Sequence, residues 1–78
     1  MNDKINEIFR KVFNNPTLEI NETTTANDVD GWDSISHLSM ISAVEKEFDI
    51  KFKLKDLMKL KNVGDLQNII NFKLSEKN

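Results

Sequence analysis

Seventy-eight residues, 38% hydrophobic and 31% charged with a net charge of −2, make one small domain near the lower limit for a self-sufficient core, and they exclude a disordered tail. The lack of cysteine and the single histidine exclude disulfides and thiolate chemistry and leave no metal site to expect. No apolar run is long enough to span a membrane, and the start "MNDKINEIFRK" lacks a signal peptide's apolar centre, so a cytoplasmic monomer is expected.

Ile5, Ile8, Phe9, Val12 and Phe13 repeat at i, i+3, i+4, i+7 and i+8, the spacing of one buried helical stripe. Asn2 or Asp3 can cap that helix. Pro16 ends it, because the residue before a proline is pushed out of helical geometry, and the predicted span is about 3–14. A connection from Asn15 to about Trp32 follows, and loops of that length are uncommon unless functional or mobile. Leu18, Ile20 and Val29 are its expected anchors, and Thr23, Thr24 and Thr25 its solvated tip.

Ile35, Leu38, Ile41, Val44 and Phe48 then predict a helix over 34–48, with Asp33 or Ser34 as its N-cap. "DIKFKLKD" alternates apolar and basic residues, but a lone strand has no partner, so a connecting loop is expected. "KLKDLMKL" reads as a short helix over 55–60 with Leu57, Met58 and Leu60 inward. Asn62 and Asp65 resemble a capping box before Val63, Leu66, Ile69, Ile70 and Leu74, which predicts a last helix over 63–76. The fold class is all-α: a three-to-four-helix bundle with a long loop between its first and second helices.

The stretch "DVDGWDSISHLSMI" places Ser34 at a helix start, where three roles compete. The first is capping. The second is a hydrolase nucleophile with His37 one turn away and Asp33 beside it, but that needs an oriented base, an oxyanion hole and a pocket. The third is a covalent tether. A helix N-terminus favours an exposed anion by only about 0.3–1 kcal/mol, whereas micromolar retention takes roughly 8 kcal/mol. A phosphorylated group would therefore have to be held there by a bond.

"GWDSISHLSMISAVEKEFDIKF" resembles the attachment segment of the acyl carrier protein family, with its Gly-x-Asp-Ser-(Leu/Ile) signature before a long helix. "NVGDLQNII" at the last helix is also similar. The resemblance implies a single acyl carrier domain over 1–78 and a carrier rather than an enzyme. It implies 4′-phosphopantetheine transferred from coenzyme A to Ser34 by a phosphopantetheinyl transferase, with cargo carried as a thioester to acyl-loading and acyl-processing enzymes. Gly31, Trp32, Asp33 and Ile35 match positions flanking the attachment serine. Gly31 would allow the bend into the helix, Trp32 would lie beside the arm or form an aromatic lid, and Ile35 would divide between docking and core.

Partners of such carriers commonly bind the helix that begins at the serine. Here that implies Ser36, Ser39, Met40, Glu45 and Glu47, while a candidate acyl cleft comprises Leu38, Ile41, Val44, Phe48, Met58, Leu60 and Ile69. The chain departs from the fatty-acid type in two respects. Serines stand where acids are common, and five lysines lie between positions 51 and 61. Residues 1–50 carry ten acids against four bases, and 51–78 three against seven. This points away from housekeeping fatty acid biosynthesis towards a dedicated pathway such as a polyketide or other specialised metabolite, polysaccharide modification, or an aminoacyl carrier. The basic stretch also raises nucleic-acid binding, which a pI of about 5.3 and the lack of a stacking platform disfavour. The remaining alternative is a helical protein-interaction module without a prosthetic group.

Overall fold

Helix α1 runs Asp3–Val12 in a computed structural model that describes residues 3–77. Asn2, one of the two expected caps, lies outside the described residues. Ile5, Ile8 and Phe9 are buried on the predicted stripe. The helix stops before Pro16 can act. Asn14 takes the left-handed conformation (φ 50°), its N–H donates to the Lys11 carbonyl (3.3 Å), and the Asn15 N–H donates to the Arg10 carbonyl (2.9 Å). That pair of bonds is a Schellman closure, and asparagine tolerates the left-handed geometry it requires.

The following connection is folded onto the helices. Ile20 and Val29 are buried, Arg10 Nε donates to the Leu18 carbonyl (2.7 Å), and the Ile20 N–H donates to Asn6 Oδ1 (3.3 Å). The expected solvated tip is corrected at Thr24, which is buried with its hydroxyl accepting from the Asn21 N–H (2.9 Å). Two loop carbonyls, Thr24 and Glu22, accept the N–H groups of Val63 (2.9 Å) and Gly64 (2.8 Å). Those N–H groups have no partner inside their own helix, so the loop caps a remote helix start. A 3-10 turn, Ala26–Asp28, then leads towards Trp32.

Helix α2 spans Ser34–Phe48. Its buried set is Met40, Ile41 and Val44, which differs from the predicted stripe at its first two positions. Ile35 and Leu38 are 79% and 59% exposed, whereas Met40 is 1% exposed. The reason is rotational: half-buried His37, Met40, Ile41 and Val44 follow one another at helical spacing on the covered face, and Ile35 and Leu38 lie beyond its edge. It ends at Asp49 (φ 54°), where the Ile50 N–H reaches back to the Glu45 carbonyl (3.1 Å).

Helix α3, Leu54–Met58, is a single short stretch. The Lys53 N–H donates to the Asp56 carboxylate (2.8 Å), and Lys73 pairs with the same carboxylate at 2.9 Å. Helix α4, Val63–Lys77, buries Val63, Leu66 and Ile70 and is capped by Asn62, whose Oδ1 accepts from the Asp65 N–H (2.9 Å). The Asp65 carboxylate accepts from the Lys61 N–H (2.9 Å), one residue earlier than a standard capping box. One core joins all of these elements, centred on Ile5, Phe9, Val44, Val63 and Ile70. Among the described residues there is no strand, and no helix is long and apolar enough to cross a membrane.

Candidate functional site

Gly31 begins the site with φ +85°, a conformation glycine adopts without steric cost. A Cβ there would meet nothing within 4 Å, so its role is conformational. The chain then enters α2 with Asp33 as N-cap, its Oδ1 accepting from the N–H groups of Ile35 (3.0 Å) and Ser36 (2.9 Å). Ser36 replies. Its hydroxyl oxygen accepts from the Asp33 N–H (2.8 Å), and its O–H lies within donating distance of the Gly31 carbonyl (2.7 Å) and of Asp33 Oδ1 (3.1 Å). The Ser36 N–H, then the Ser36 hydroxyl, and after them the Ile35 N–H hold the Asp33 carboxyl below the ordinary carboxylate range.

This reciprocal cap settles which residue closes the helix. Ser34 is not the cap. It occupies the first helical position, exposed, and among the described residues its hydroxyl makes no hydrogen bond to another group. Nor do the three groups of a hydrolase relay come together. The Asp33 carboxylate is committed to backbone N–H groups, and His37 Nδ1 accepts from the Trp32 indole N–H (3.0 Å).

Trp32 ties this corner to the core. Its ring stands edge-on to Phe9 (centroids 5.3 Å, 76°), leans on Phe13 at 5.7 Å and lies nearly parallel to His37 at 15°. Burial pushes the His37 imidazole below its ordinary pKa. On the outer side, Trp32, His37, Leu38, Leu57 and Met58 wall an open groove that includes Ser34. A recess of about 140 Å³ shares Ala26, Trp32 and His37 with this groove and is lined further by Met40, Leu60, Lys61, Asn62 and Leu66. Ligand pockets commonly measure about 300–1,000 Å³, so a long chain does not fit this recess unless the helices part.

Several predicted site residues therefore change role. Met40, expected on the partner face, is buried and cannot touch a partner. Ser36 is engaged in the cap. Glu45 is half-buried, its carboxylate accepting from the Phe52 N–H (2.8 Å). Ser39 and Glu47 are exposed, the latter 3.6 Å from Lys4. Of the candidate cleft, Leu38 and Met58 line the groove and Leu60 the recess. Ile41 and Val44 are core, and Phe48 and Ile69 line neither cavity. Met58, predicted inward, is 78% exposed, because a five-residue helix can turn only one side to the core and Leu57 takes it. Ile35 is likewise surface rather than core.

Sequence reasoning missed the Trp32–His37 bond and the role of Ser36. A tryptophan five residues before a histidine signals nothing by itself. A capping box is normally recognised by Glu or Gln at the third helical position. Among the described residues, no group of three His, Cys, Asp or Glu side chains is placed to hold a metal ion.

Comparison with known proteins bears on this corner. The family model described as "Phosphopantetheine attachment site" matches residues 3–70. The solution structure of a holo acyl carrier protein from Geobacter metallireducens is similar at 45% identity with a TM-score of 0.91, over 96% of this chain and 86% of that one. No curated protein matches the chain. The helical architecture is that of an acyl carrier protein.

Proposed function

We propose, since the chain belongs to the phosphopantetheine attachment-site family of acyl carriers, that Ser34 anchors its 4′-phosphopantetheine arm. One observation carries the choice of residue. Asp33 and Ser36 satisfy one another at the start of α2, and Ser34 keeps an exposed, unengaged hydroxyl beside an apolar groove. The residues suit the group. The positive end of α2 accommodates a phosphate, the ester supplies the retention that contacts alone cannot, and the groove walls can lie along the arm. When bound, the arm supplies a terminal thiol that this cysteine-free chain lacks, and cargo rides on it as a thioester.

The whole chain, 1–78, acts as one carrier domain, loaded from coenzyme A by a phosphopantetheinyl transferase and visited by acyl-loading and acyl-processing enzymes. Those enzymes dock around Ser34, over exposed Ile35, Leu38, Leu54 and Met58. Lys53, Lys55 and Lys59 are exposed near this surface and form no ion pair among the described residues. The acids further along are engaged, Glu47 with Lys4 and Asp49 with Lys77. An apolar face with a basic flank supports service to a dedicated pathway rather than to housekeeping fatty acid enzymes. If purified fatty acid synthase components turn over this carrier as fast as their own, that refinement fails.

The attachment is tested by incubating the unloaded protein with coenzyme A, magnesium and a broad-specificity phosphopantetheinyl transferase, followed by intact mass measurement. The wild type gains one phosphopantetheine and Ser34→Ala gains none. A protein-interaction module without a prosthetic group would gain none in either form.

A further inference from the structure

His37 lines both the groove at Ser34 and the recess that adjoins it, and its two ring nitrogens are not equivalent. The indole N–H of Trp32 can only donate, and it lies 3.0 Å from His37 Nδ1. Nδ1 must therefore accept, which leaves the proton of the neutral ring on Nε2. The indole is not free to turn away, because Phe9 and Phe13 pack against it at 5.3 and 5.7 Å and Phe9 is fully buried.

Nε2 has no hydrogen-bond partner among the described residues. Nor is it one of the fully buried atoms left without a partner, so it keeps some exposed surface. The groove that the ring lines offers little other polarity. Ala26, Leu38, Leu57 and Met58 are apolar walls, the Asp33 carboxylate is an acceptor already engaged, and the Trp32 N–H is spent on His37. Once Ser34 is esterified, the Nε2–H of His37 is the one side-chain donor left in that lining. It stands three residues along α2 from Ser34, a spacing that brings Cβ atoms within about 5–6 Å on one helix face.

We infer that His37 is a positioning residue for the prosthetic arm, its Nε2–H donating to an acceptor oxygen of the arm, with Trp32 holding the imidazole in the tautomer this requires. The acceptor is a phosphodiester oxygen or the first amide carbonyl, both within about one helical turn of the ester. Steering the arm along the groove limits the directions from which a partner meets the thiol. This inference rests on Ser34 being the attachment residue.

The test uses 15N-labelled full-length protein near pH 8, before and after loading with coenzyme A and a phosphopantetheinyl transferase, with mass measured first. The unloaded protein should show Nδ1 bare and Nε2 protonated in long-range imidazole 15N spectra. Loading should move the Nε2 resonance and produce cross-relaxation between the His37 ring and the arm. Trp32→Phe keeps an aromatic ring against Phe9 but has no N–H, and should mix the two tautomers and weaken those cross-peaks at least twofold. In loaded His37→Ala, a changed 31P shift assigns the acceptor to the phosphodiester, and a changed arm amide with unmoved 31P assigns it to the carbonyl. A failure to gain mass refutes the Ser34 reading and this inference together. Full loading with an Nδ1-protonated ring, or with unmoved His37 nitrogens, refutes the role of His37 alone.

Discussion

Substituting Gly64 probes how the long loop is held. Gly64 lies in the first turn of α4, and its N–H donates to the Glu22 carbonyl at 2.8 Å. A Cβ built there falls 2.8 Å from that same carbonyl oxygen and 3.2 Å from the Asn62 Oδ1 that caps the helix. Helix propensity alone favours Gly64→Ala by about 0.5–1 kcal/mol. Against this stand a steric cost of about 1–3 kcal/mol for overpacking and about 0.5–1.5 kcal/mol for the weakened hydrogen bond. Because the atom in the way is backbone, it cannot swing aside as a side chain would, and the loss wins. The net is roughly 0.5–4 kcal/mol of destabilisation, with ~2 kcal/mol the central expectation. In a domain of this size that lowers Tm by about 8–16 °C. Thermal and urea unfolding followed by circular dichroism at 222 nm measure it directly. A Gly64→Ala protein as stable as wild type, or more so, would refute the idea that loop carbonyls clamp the start of α4.

Ser34→Ala should leave unfolding free energy within about 0.5 kcal/mol of wild type, as an unengaged surface group does, while abolishing loading. Asp33→Ala removes the cap of α2 and should cost about 0.5–2 kcal/mol by urea titration. Met40→Ala should cost about 2–5 kcal/mol as a buried truncation, while Met58→Ala should stay within about 0.5 kcal/mol; equal losses would contradict the observed burial. Burial lowers the pKa of His37, so between its folded value and the ordinary value of about 6.5 the unfolded chain binds more protons. Stability is therefore full above that ordinary value and falls as pH drops through the folded one. Urea midpoints measured from pH 8 to 5 should show this fall in wild type and a smaller one in His37→Gln.

Much of the architecture could be read from spacing because helices are local. The α1 stripe, the capping residues before α2 and α4, and the three long periodic segments all report contacts made within a few residues, where 3.6-residue periodicity decides burial. The pattern failed where burial depended on a neighbour from elsewhere. Ile35 and Leu38 fit the predicted α2 stripe and yet lie beyond the edge of the covered face, while Met40, left out of that stripe, is enclosed. Thr24 reads as a loop tip until the start of α4 is known to need its carbonyl.

At the site itself, local chemistry placed Ser34 at a helix entrance beside an acidic cap and a glycine, because caps and bends are short-range devices, and the family resemblance singled it out as the attachment residue. Which hydroxyl would be consumed by capping and which left over was not legible. Ser34 and Ser36 are the same residue type two positions apart, and only the fold of the Gly31–Asp33 bend brings the Asp33 N–H and the Gly31 carbonyl onto Ser36. The Trp32–His37 bond likewise exists because Phe9 and Phe13 of a different helix support the indole. The sequence by itself determined the helices, their order and the residue types gathered at the entrance of α2. Tertiary packing decided which of those side chains are spent on holding the corner together and which remain available, since a hydrogen bond or a buried face is settled only when residues distant along the chain meet.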